Sequence, residues 1–242
     1  MIKKIALSTL LASTLVVAAE PDTKKDNTFV THTELGYIET QGNTETKTFN
    51  LDAQAKKGWG KNIFALHFDG QYASDKNIET KNKYLLELEY DYEFTDRLAF
   101  NYLIGYKTDK FSSFDYQFYT GPGAKYKAIV STKHNLSIEG NILYAEDEIK
   151  IPASTDTYAA YRAKGVYTWQ MLENLKFDQE LSYRGSFEDS NKYFAYSKSA
   201  FTSKFSDIFS AGLSYKVDYV NMPSDGKENT DTTLTLNLIV DY

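Results

Sequence analysis

The chain has 242 residues, of which 42% are hydrophobic, 25% charged and 15% aromatic, and its formal net charge is −6. It contains no cysteine, which excludes a disulfide scaffold, a thiol enzyme and a cysteine-ligated zinc site. The 20 tyrosines and 15 phenylalanines exclude intrinsic disorder, because disordered chains are poor in aromatic residues. The acidic balance argues against nucleic acid as a partner.

The first residues carry the features of a secretory signal peptide. Two lysines precede an apolar stretch that ends at Val17, and small side chains precede a cut after Ala19. No later run of about 18 apolar residues could cross a bilayer as a helix. We expect three parts: a signal peptide at 1–19, a polar tail at 20–28 and one folded domain at 29–242.

Beyond the tail, apolar and polar residues alternate with a period of two, which is typical of β-strands. Short polar turns recur at intervals of about 36 residues, the length of two strands and their connections. Longer polar segments lie between these turns. The pattern predicts twelve strands, at residues 29–38, 47–57, 63–73, 82–94, 98–107, 115–127, 135–146, 157–169, 175–187, 192–204, 208–219 and 231–242.

An even number of antiparallel strands, alternating short and long connections and an export signal together predict an outer-membrane β-barrel. A sheet can span a bilayer only when it is closed, because each unpaired backbone group costs several kcal/mol in lipid. A soluble sandwich and a lipocalin-like barrel share the strand period, but they bury the apolar face inward and give little reason for so many tyrosines. We therefore predict an all-β fold: a closed antiparallel transmembrane barrel of about twelve strands in the outer membrane of a Gram-negative bacterium.

Aromatic residues concentrate near the predicted strand ends, as in the girdles of membrane barrels. The rim beside the tight turns is predicted to carry Trp59, Phe94, Phe100, Tyr126, Trp169, Phe177, Phe205, Phe209 and Tyr242. The rim beside the long loops is predicted to carry Phe114, Tyr116, Tyr158, Tyr193, Phe194 and Tyr219.

The end of the chain resembles the C-terminal signal that the outer-membrane barrel assembly machinery recognises. An apolar residue stands at every second position and the last residue is aromatic. The predicted assembly signal consists of Leu234, Leu236, Leu238, Val240 and Tyr242. Tyrosine stands where phenylalanine is commoner, and Val240 stands where an aromatic residue is frequent.

If the apolar face of each strand contacts lipid, the other face lines the lumen. That face is heavily charged, and we predict an acidic wall on the third and fourth strands opposite a basic wall on the fifth, sixth and eighth. Such charges either orient polar solutes in a pore or pair with one another and fill the lumen. The lumen-lining candidates are Asp69, Glu87, Glu89, Asp91, Lys107, Lys125, Lys127, Arg162, Lys164, Lys176, Glu180, Arg184, Lys216 and Asp218.

Catalytic and metal-binding motifs are weak. His32, His67 and His134 lie in no hydrolase or metalloprotease motif. Residues 75–79 begin like a calcium loop, but Thr80 replaces the required glycine. We therefore predict no catalytic residue, no metal site and no cofactor. Gly121-Pro122-Gly123 predicts a bend or bulge that curves the barrel wall.

Several motifs resemble the salt-induced outer membrane protein family, a domain of unknown function. They are Leu35-Gly36-Tyr37, Gln41-Gly42-Asn43-Thr44-Glu45-Thr46, Tyr90-Asp91-Tyr92, Thr95-Asp96-Arg97-Leu98, Tyr106-x-x-Asp109-x-Phe111, Asp115-Tyr116 and Gly121-Pro122-Gly123-Ala124-Lys125-Tyr126. The resemblance implies an outer-membrane barrel and supplies no reaction.

We expect a non-enzymatic barrel that contacts outer-membrane lipid and, during biogenesis, the barrel assembly machinery. It either passes small polar or charged solutes through a narrow lumen or supports the envelope under salt or osmotic stress. A structural or surface-interaction barrel with a closed lumen is the first alternative. An outer-membrane hydrolase is the second.

Overall fold

The computed structural model describes residues 29–41, 45–223 and 226–241. The predicted signal peptide at 1–19, the polar tail at 20–28 and Tyr242 lie outside these ranges. In chain order the strands are β1 (Phe29–Thr40), β2 (Thr46–Trp59), β3 (Asn62–Asp75), β4 (Ile78–Glu93), β5 (Leu98–Asp109), β6 (Phe114–Val130), β7 (His134–Ile149), β8 (Ser154–Leu172), β9 (Leu175–Ser186), β10 (Tyr193–Lys204), β11 (Phe209–Val220) and β12 (Thr230–Asp241). Within the described ranges, no helix has the length and apolar character needed to cross a membrane.

The strands form one closed antiparallel barrel, in which each strand pairs with its neighbour in sequence and β1 pairs with β12. The closing contact runs from Leu35 opposite Leu238 to His32 opposite Asp241. The pairing recorded across this seam covers four residues of each strand, and it closes the sheet, which is the condition for a sheet in lipid. The prediction of a twelve-stranded closed barrel is confirmed, and the predicted strand bounds agree with the observed ones to within four residues.

Alternate residues of each strand face the inside and the outside of the barrel. On β12, Leu234 and Leu236 are 66% and 70% exposed, whereas Thr235 between them is 5% exposed. The apolar face of this strand therefore points outward, as a surface in contact with acyl chains requires. Other strands add exposed apolar residues to the same outer surface, among them Leu66, Leu88, Ile104, Ile138, Ile142 and Leu213.

The two ends of the barrel differ in their connections. At one end, which we call the turn end, connections of two to four residues join β2 to β3, β4 to β5, β6 to β7, β8 to β9 and β10 to β11. At the other end, which we call the loop end, the connections β1 to β2, β9 to β10 and β11 to β12 have five, six and nine residues, and the other three have two to four. The segment 74–81, predicted as a long loop, is a two-residue turn at Lys76 and Asn77, whose φ angles are 48° and 63°. A turn of two residues with positive φ angles matches the right-handed twist of the flanking strands. The segment that resembles a calcium loop in sequence is therefore a tight β-hairpin turn.

The prediction of a bulge at Gly121-Pro122-Gly123 is wrong, because β6 keeps an unbroken register with β5 through these residues. Register shifts occur on β6 at Phe114/Tyr116 and at Lys127/Ile129 instead. The glycines have another role. A Cβ at Gly121 would lie 2.0 Å from the carbonyl oxygen of Ile142 on β7, so only glycine permits this close approach of the two strands.

Most aromatic residues assigned to the rims are on the outer face, but three are inside the barrel. Tyr193 and Tyr219 stack on the outer surface near the loop end, with ring centroids 5.8 Å apart. Phe114 and Tyr158 are only 8% and 5% exposed. Phe194 packs its ring against Phe114 at 5.8 Å. The assignment of these three residues to the lipid-facing girdle is therefore wrong.

One part of the interior is apolar. Leu103 on β5 and Leu143 on β7 are fully buried and pack with Tyr119 and Tyr158. We call this group, with Ala145 and Ala160, the apolar cluster. It covers part of the inner wall formed by β5 to β8, and Asp147 on β7 accepts a hydrogen bond from its Tyr158.

Candidate functional site

The interior of the barrel is the candidate site, and its charged residues form two groups. We call the first the central ion-pair layer, because it lies near the middle of the strands. Its members are Glu34, Asp52, Asp69, Glu87, Glu89, Asp91, Lys125, Glu139, Arg162, Lys164, Glu180, Lys198 and Lys216. The second group, near the loop end, surrounds a cavity.

One half of the central ion-pair layer joins β10 and β11 to β1, β2 and β3. The ammonium group of Lys198 donates hydrogen bonds to Glu34 at 2.7 Å and to Asp52 at 2.8 Å. Lys216 reaches the same Asp52 at 3.3 Å and also contacts Asp69. These contacts cross the lumen, because several strands separate the partners around the barrel wall.

The other half of the layer joins β4, β6, β7, β8 and β9. Lys125 donates to Glu89 at 2.8 Å and to Asp91 at 2.7 Å. The guanidinium group of Arg162 lies 3.4 Å from Glu87 and 3.3 Å from Glu139. Lys164 lies 3.2 Å from Glu180 and 3.9 Å from Glu89.

His67 connects the two halves of the layer. One ring nitrogen lies 3.2 Å from Asp52 and the other lies 3.9 Å from Glu87. Because the imidazole stands between two carboxylates, it is held in a fixed position with no nucleophilic side chain among these contacts. His32 is held in the same way by Glu34 at 3.2 Å and Asp241 at 2.6 Å.

The observed layer differs from the predicted acidic and basic walls. Glu139 and Glu180 stand among the basic residues of β6 and β8, and Lys198 and Lys216 form a second basic group opposite β1 to β3. Each described lysine and arginine of the layer has a carboxylate within 3.5 Å. The layer is therefore an interlocked network rather than two separated surfaces.

The predicted candidates fall into three places. Nine of them lie in the central ion-pair layer, and Lys107, Arg184 and Asp218 lie around the cavity at the loop end. Lys127 and Lys176 lie near the turn end, where they contact Glu93 and Asp178 at 3.1 and 3.0 Å. The sequence interpretation missed further charged residues that point inside, among them Glu34, Asp52, Lys83, Glu139, Asp147 and Lys198. The signal that could have found them is the alternation of the strand. Each lies an even number of positions from another inward-facing residue of its strand and therefore shares its face.

The second group surrounds what we call the upper cavity. It measures about 110 Å³ and its lining includes Lys83, Lys107, Arg184, Phe194 and Asp218. A second cavity of about 100 Å³ lies between it and the loops and shares three of these residues, Lys83, Lys107 and Asp218. Each volume has room for a few water molecules.

A cross-lumen ion pair separates the two cavities. Asp218 on β11 accepts hydrogen bonds from Lys83 at 2.6 Å and from Lys107 at 3.1 Å. Strands β5 and β11 lie on opposite sides of the barrel, so this pair spans its width.

The proposed assembly signal lies on the outer surface at the turn-end half of β12. Leu234, Leu236 and Leu238 are exposed, and Val240 is half-buried. Tyr242 is outside the described residues. Recognition by the assembly machinery remains a prediction.

Solved structures with a similar fold are outer-membrane barrels. The chain is similar to the NanC porin, with a TM-score of 0.53, 10% identity, and coverage of 88% of this chain and 98% of that one. It is also similar to the COG4313 outer membrane channel from Pseudomonas putida F1, with a TM-score of 0.53 and 8% identity, over 92% of this chain and 98% of that one. At such low identity these similarities establish the fold alone.

Sequence relatives are uncharacterised. The chain is 24% identical over 207 residues to the protein described as "Uncharacterized protein YdiY" from Escherichia coli (strain K12), which covers 84% of this chain and 79% of the relative. The family described as "Protein of unknown function, DUF481" matches residues 33–242, and this match confirms the family resemblance inferred from the motifs. The chain therefore belongs to the DUF481 family.

Proposed function

We propose that this chain is a non-enzymatic barrel of the Gram-negative outer membrane that passes small polar or charged solutes through a narrow, charge-lined lumen. The exposed leucine, isoleucine and tyrosine residues of the outer face support contact with lipid. The fold shared with outer-membrane channels supports the same location. The signal peptide at 1–19 would direct the chain across the inner membrane.

The observation that carries this proposal is the presence of ionisable side chains along the interior, from Asp218 near the loop end to Lys127 near the turn end. Burying an ion pair offers little net stability, because the desolvation cost offsets the Coulomb attraction. A barrel with a purely structural role could fill the same space with apolar side chains, as the apolar cluster already does on one wall. Retention of so many charges is better explained by a polar path for solutes.

The arrangement of charge also indicates which solutes suit the path. The central ion-pair layer contains eight carboxylates and five lysine or arginine side chains, so it favours a positive group. The upper cavity is lined by four lysine or arginine side chains and four carboxylates, and it favours a negative group beside Arg184, which has no carboxylate within hydrogen-bond distance. The two regions follow one another along the lumen, which suits small zwitterions as well as single ions.

A closed barrel is the alternative that a specific observation favours. The ion pairs cross the lumen, and Glu87, Asp91, Glu139 and Arg162 are each at most 5% exposed. In a closed barrel these pairs would act as internal struts, and the protein would serve the outer membrane as a structural or surface element.

Single-channel recording distinguishes the two proposals. The chain from residue 20 onward, refolded in detergent and added to a planar bilayer, is expected to give small, discrete current steps. Glu89→Lys and Lys125→Glu each reverse a charge in the central ion-pair layer and should change the size and ion selectivity of those steps. Asp207→Asn, at an exposed turn, is the control and should leave them unchanged.

If correctly folded protein gives no current steps in planar bilayers, the result would contradict the channel and support the closed barrel. Turnover of lipid or peptide that His67→Ala abolishes would contradict the non-enzymatic assignment. A role under salt stress, implied by the family resemblance, predicts slower growth of a deletion strain at raised sodium chloride and rescue by the wild-type chain.

A further inference from the structure

Arg184 on β9 occupies an unusual place in the upper cavity. Its guanidinium carbon lies 4.6 Å from the centre of the Tyr119 ring and 4.5 Å from the centre of the Phe194 ring. Its side chain is only 8% exposed. Aromatic rings that pack on the guanidinium plane leave its N–H groups free to point along the edge.

The hydrogen-bonding capacity of Arg184 is not filled. Its Nη1 atom is buried and has no partner among the described residues. Its Nη2 atom lies 3.8 Å from Asp147, which is beyond hydrogen-bond distance. A guanidinium nitrogen that is buried without an acceptor loses its hydrogen bonds to water and gains none from the protein. This costs free energy that a bound acceptor would recover.

Asp147 is also committed to other donors. It accepts hydrogen bonds from Tyr158 at 2.9 Å and from Gln117 at 3.1 Å, and the ammonium group of Lys192 lies 2.9 Å away. This carboxylate is therefore the acceptor of a separate cluster, and Arg184 stands at its edge.

The other cations that line the upper cavity are paired. Lys83 and Lys107 share Asp218, and Arg162 contacts Glu87 and Glu139. Among the described lysines and arginines of this lining, Arg184 alone has no carboxylate within hydrogen-bond distance. The cavity beside it has a volume of about 110 Å³.

We propose that Arg184 is an anion-binding site in the upper cavity and that it binds the carboxylate of a small organic solute. A planar carboxylate offers two oxygens to the edge of a guanidinium group, which makes a bidentate pair. The Tyr119 and Phe194 rings provide apolar contact for the carbon atoms of such a solute. Asp218 and Glu87 nearby disfavour a doubly charged phosphate. As a step in solute passage, this site rests on the proposed function, but the binding itself is independent of conduction.

Arginine-selective nitrogen labelling tests the site directly, because the chain contains only three arginines, at positions 97, 162 and 184. Sodium acetate is titrated into the detergent-refolded chain with ¹⁵N-labelled arginine, against sodium chloride at equal ionic strength. We expect one side-chain signal to shift in a saturable way with acetate and not with chloride. That signal should be absent from Arg184→Lys and present in Arg97→Lys.

Titration calorimetry on Arg184→Lys and on one further variant gives a second readout. Arg184→Lys keeps the positive charge but removes the two parallel N–H donors of the guanidinium edge, so acetate binding should weaken about tenfold. Lys176→Gln removes a charge from the same strand near the turn end and should leave acetate binding unchanged. The nuclear magnetic resonance titration of the wild-type chain remains decisive if a variant does not fold.

Absence of an acetate-dependent shift overturns the site, and so does a shift with inorganic phosphate in place of acetate. An equal response to chloride also overturns it. A saturable acetate shift in a barrel that shows no current would support the site and contradict the channel. Current without any acetate shift would support the channel and contradict the site.

Discussion

The central ion-pair layer and the upper cavity lie in the same barrel but differ in how their cations are paired. In the layer, Lys125 contacts three carboxylates and Asp52 contacts two lysines and a histidine. In the upper cavity, Arg184 rests between two aromatic rings with an unfilled hydrogen-bonding group. Charges that satisfy one another are costly to separate, whereas Arg184, which has no carboxylate within hydrogen-bond distance, is available to a solute.

The difference follows from the residues that surround each set of charges. Carboxylates from β1 to β4 meet the lysines and arginines of the layer across the lumen. At the level of Arg184, the apolar cluster occupies the wall of β5 to β8 and brings few carboxylates to the interior. The comparison therefore separates a structural set of charges from a binding set.

The largest expected effect comes from breaking the layer. Arg162→Met leaves Glu87 and Glu139 buried without their guanidinium partner, which should lower the free energy of unfolding by about 3 to 5 kcal/mol. Urea unfolding in lipid vesicles measures the change. The matched variant Arg184→Met should cost about 1 kcal/mol, because it removes ring contacts and no close ion pair. Equal losses for the two variants would contradict the separation of structural from binding charges.

A somewhat smaller loss of stability is expected from a charge placed on the outer, lipid-facing surface at the level of the central ion-pair layer. Leu236 is 70% exposed and lies beside Asn237, which donates to Glu34 of the layer. If the layer lies at the middle of the bilayer, Leu236→Lys should destabilise the barrel by about 2 to 4 kcal/mol. Unfolding in vesicles measures this change too, and Asp207→Lys at an exposed turn provides the control. A change near zero for Leu236→Lys would place the layer outside the membrane core.

The wall beside the upper cavity depends on the contact of β6 with β7. Gly121→Ala would place a methyl group against the Ile142 carbonyl, so we expect a loss of about 1 to 3 kcal/mol. Gly165→Ala on β8 meets no atom within 4 Å and should change stability by less than about 1 kcal/mol. Thermal unfolding of both variants in detergent gives the comparison. Indistinguishable variants would show that the close approach is not required.

The smallest effect concerns the ion pair between the two cavities. Asp218→Asn removes the carboxylate shared by Lys83 and Lys107 and leaves both cations facing the lumen. The anion-to-cation permeability ratio should rise, on the order of fivefold for about 1 kcal/mol of electrostatic free energy. The reversal potential in a potassium chloride gradient measures the ratio. A shift toward cations would be inconsistent with this placement of the lysines.

Much of the fold was predictable because a period of two determines both the strands and their faces. The leucines of β12 and the inward parity of Glu87 and Lys125 follow from that alternation. Tyr193 and Phe194 are neighbours on one strand, so alternation itself requires one of them to face inward. The inward orientation of Phe114 could not be predicted from alternation. A register shift between Phe114 and Tyr116 places Phe114 on the inner face, although its position number is even and the inward residues that follow on β6 are odd.

The pairing across the lumen was not predictable from the sequence. Lys198 meets Glu34 although 164 positions separate them, because the stagger of twelve strands decides which residues share a level. The lack of a carboxylate within hydrogen-bond distance of Arg184 depends in turn on where Asp147, Tyr158 and Lys192 meet. Such features appear only once the barrel has closed.

The most direct test of a polar lumen inside an apolar shell uses the absence of native cysteine. Ser182→Cys lines the upper cavity, while its neighbour Leu181→Cys lies on the outer face, where leucine is 55% exposed. In proteoliposomes, a small charged thiol reagent added to the water phase should modify Ser182→Cys and spare Leu181→Cys. Modification of Leu181→Cys with protection of Ser182→Cys would contradict the account.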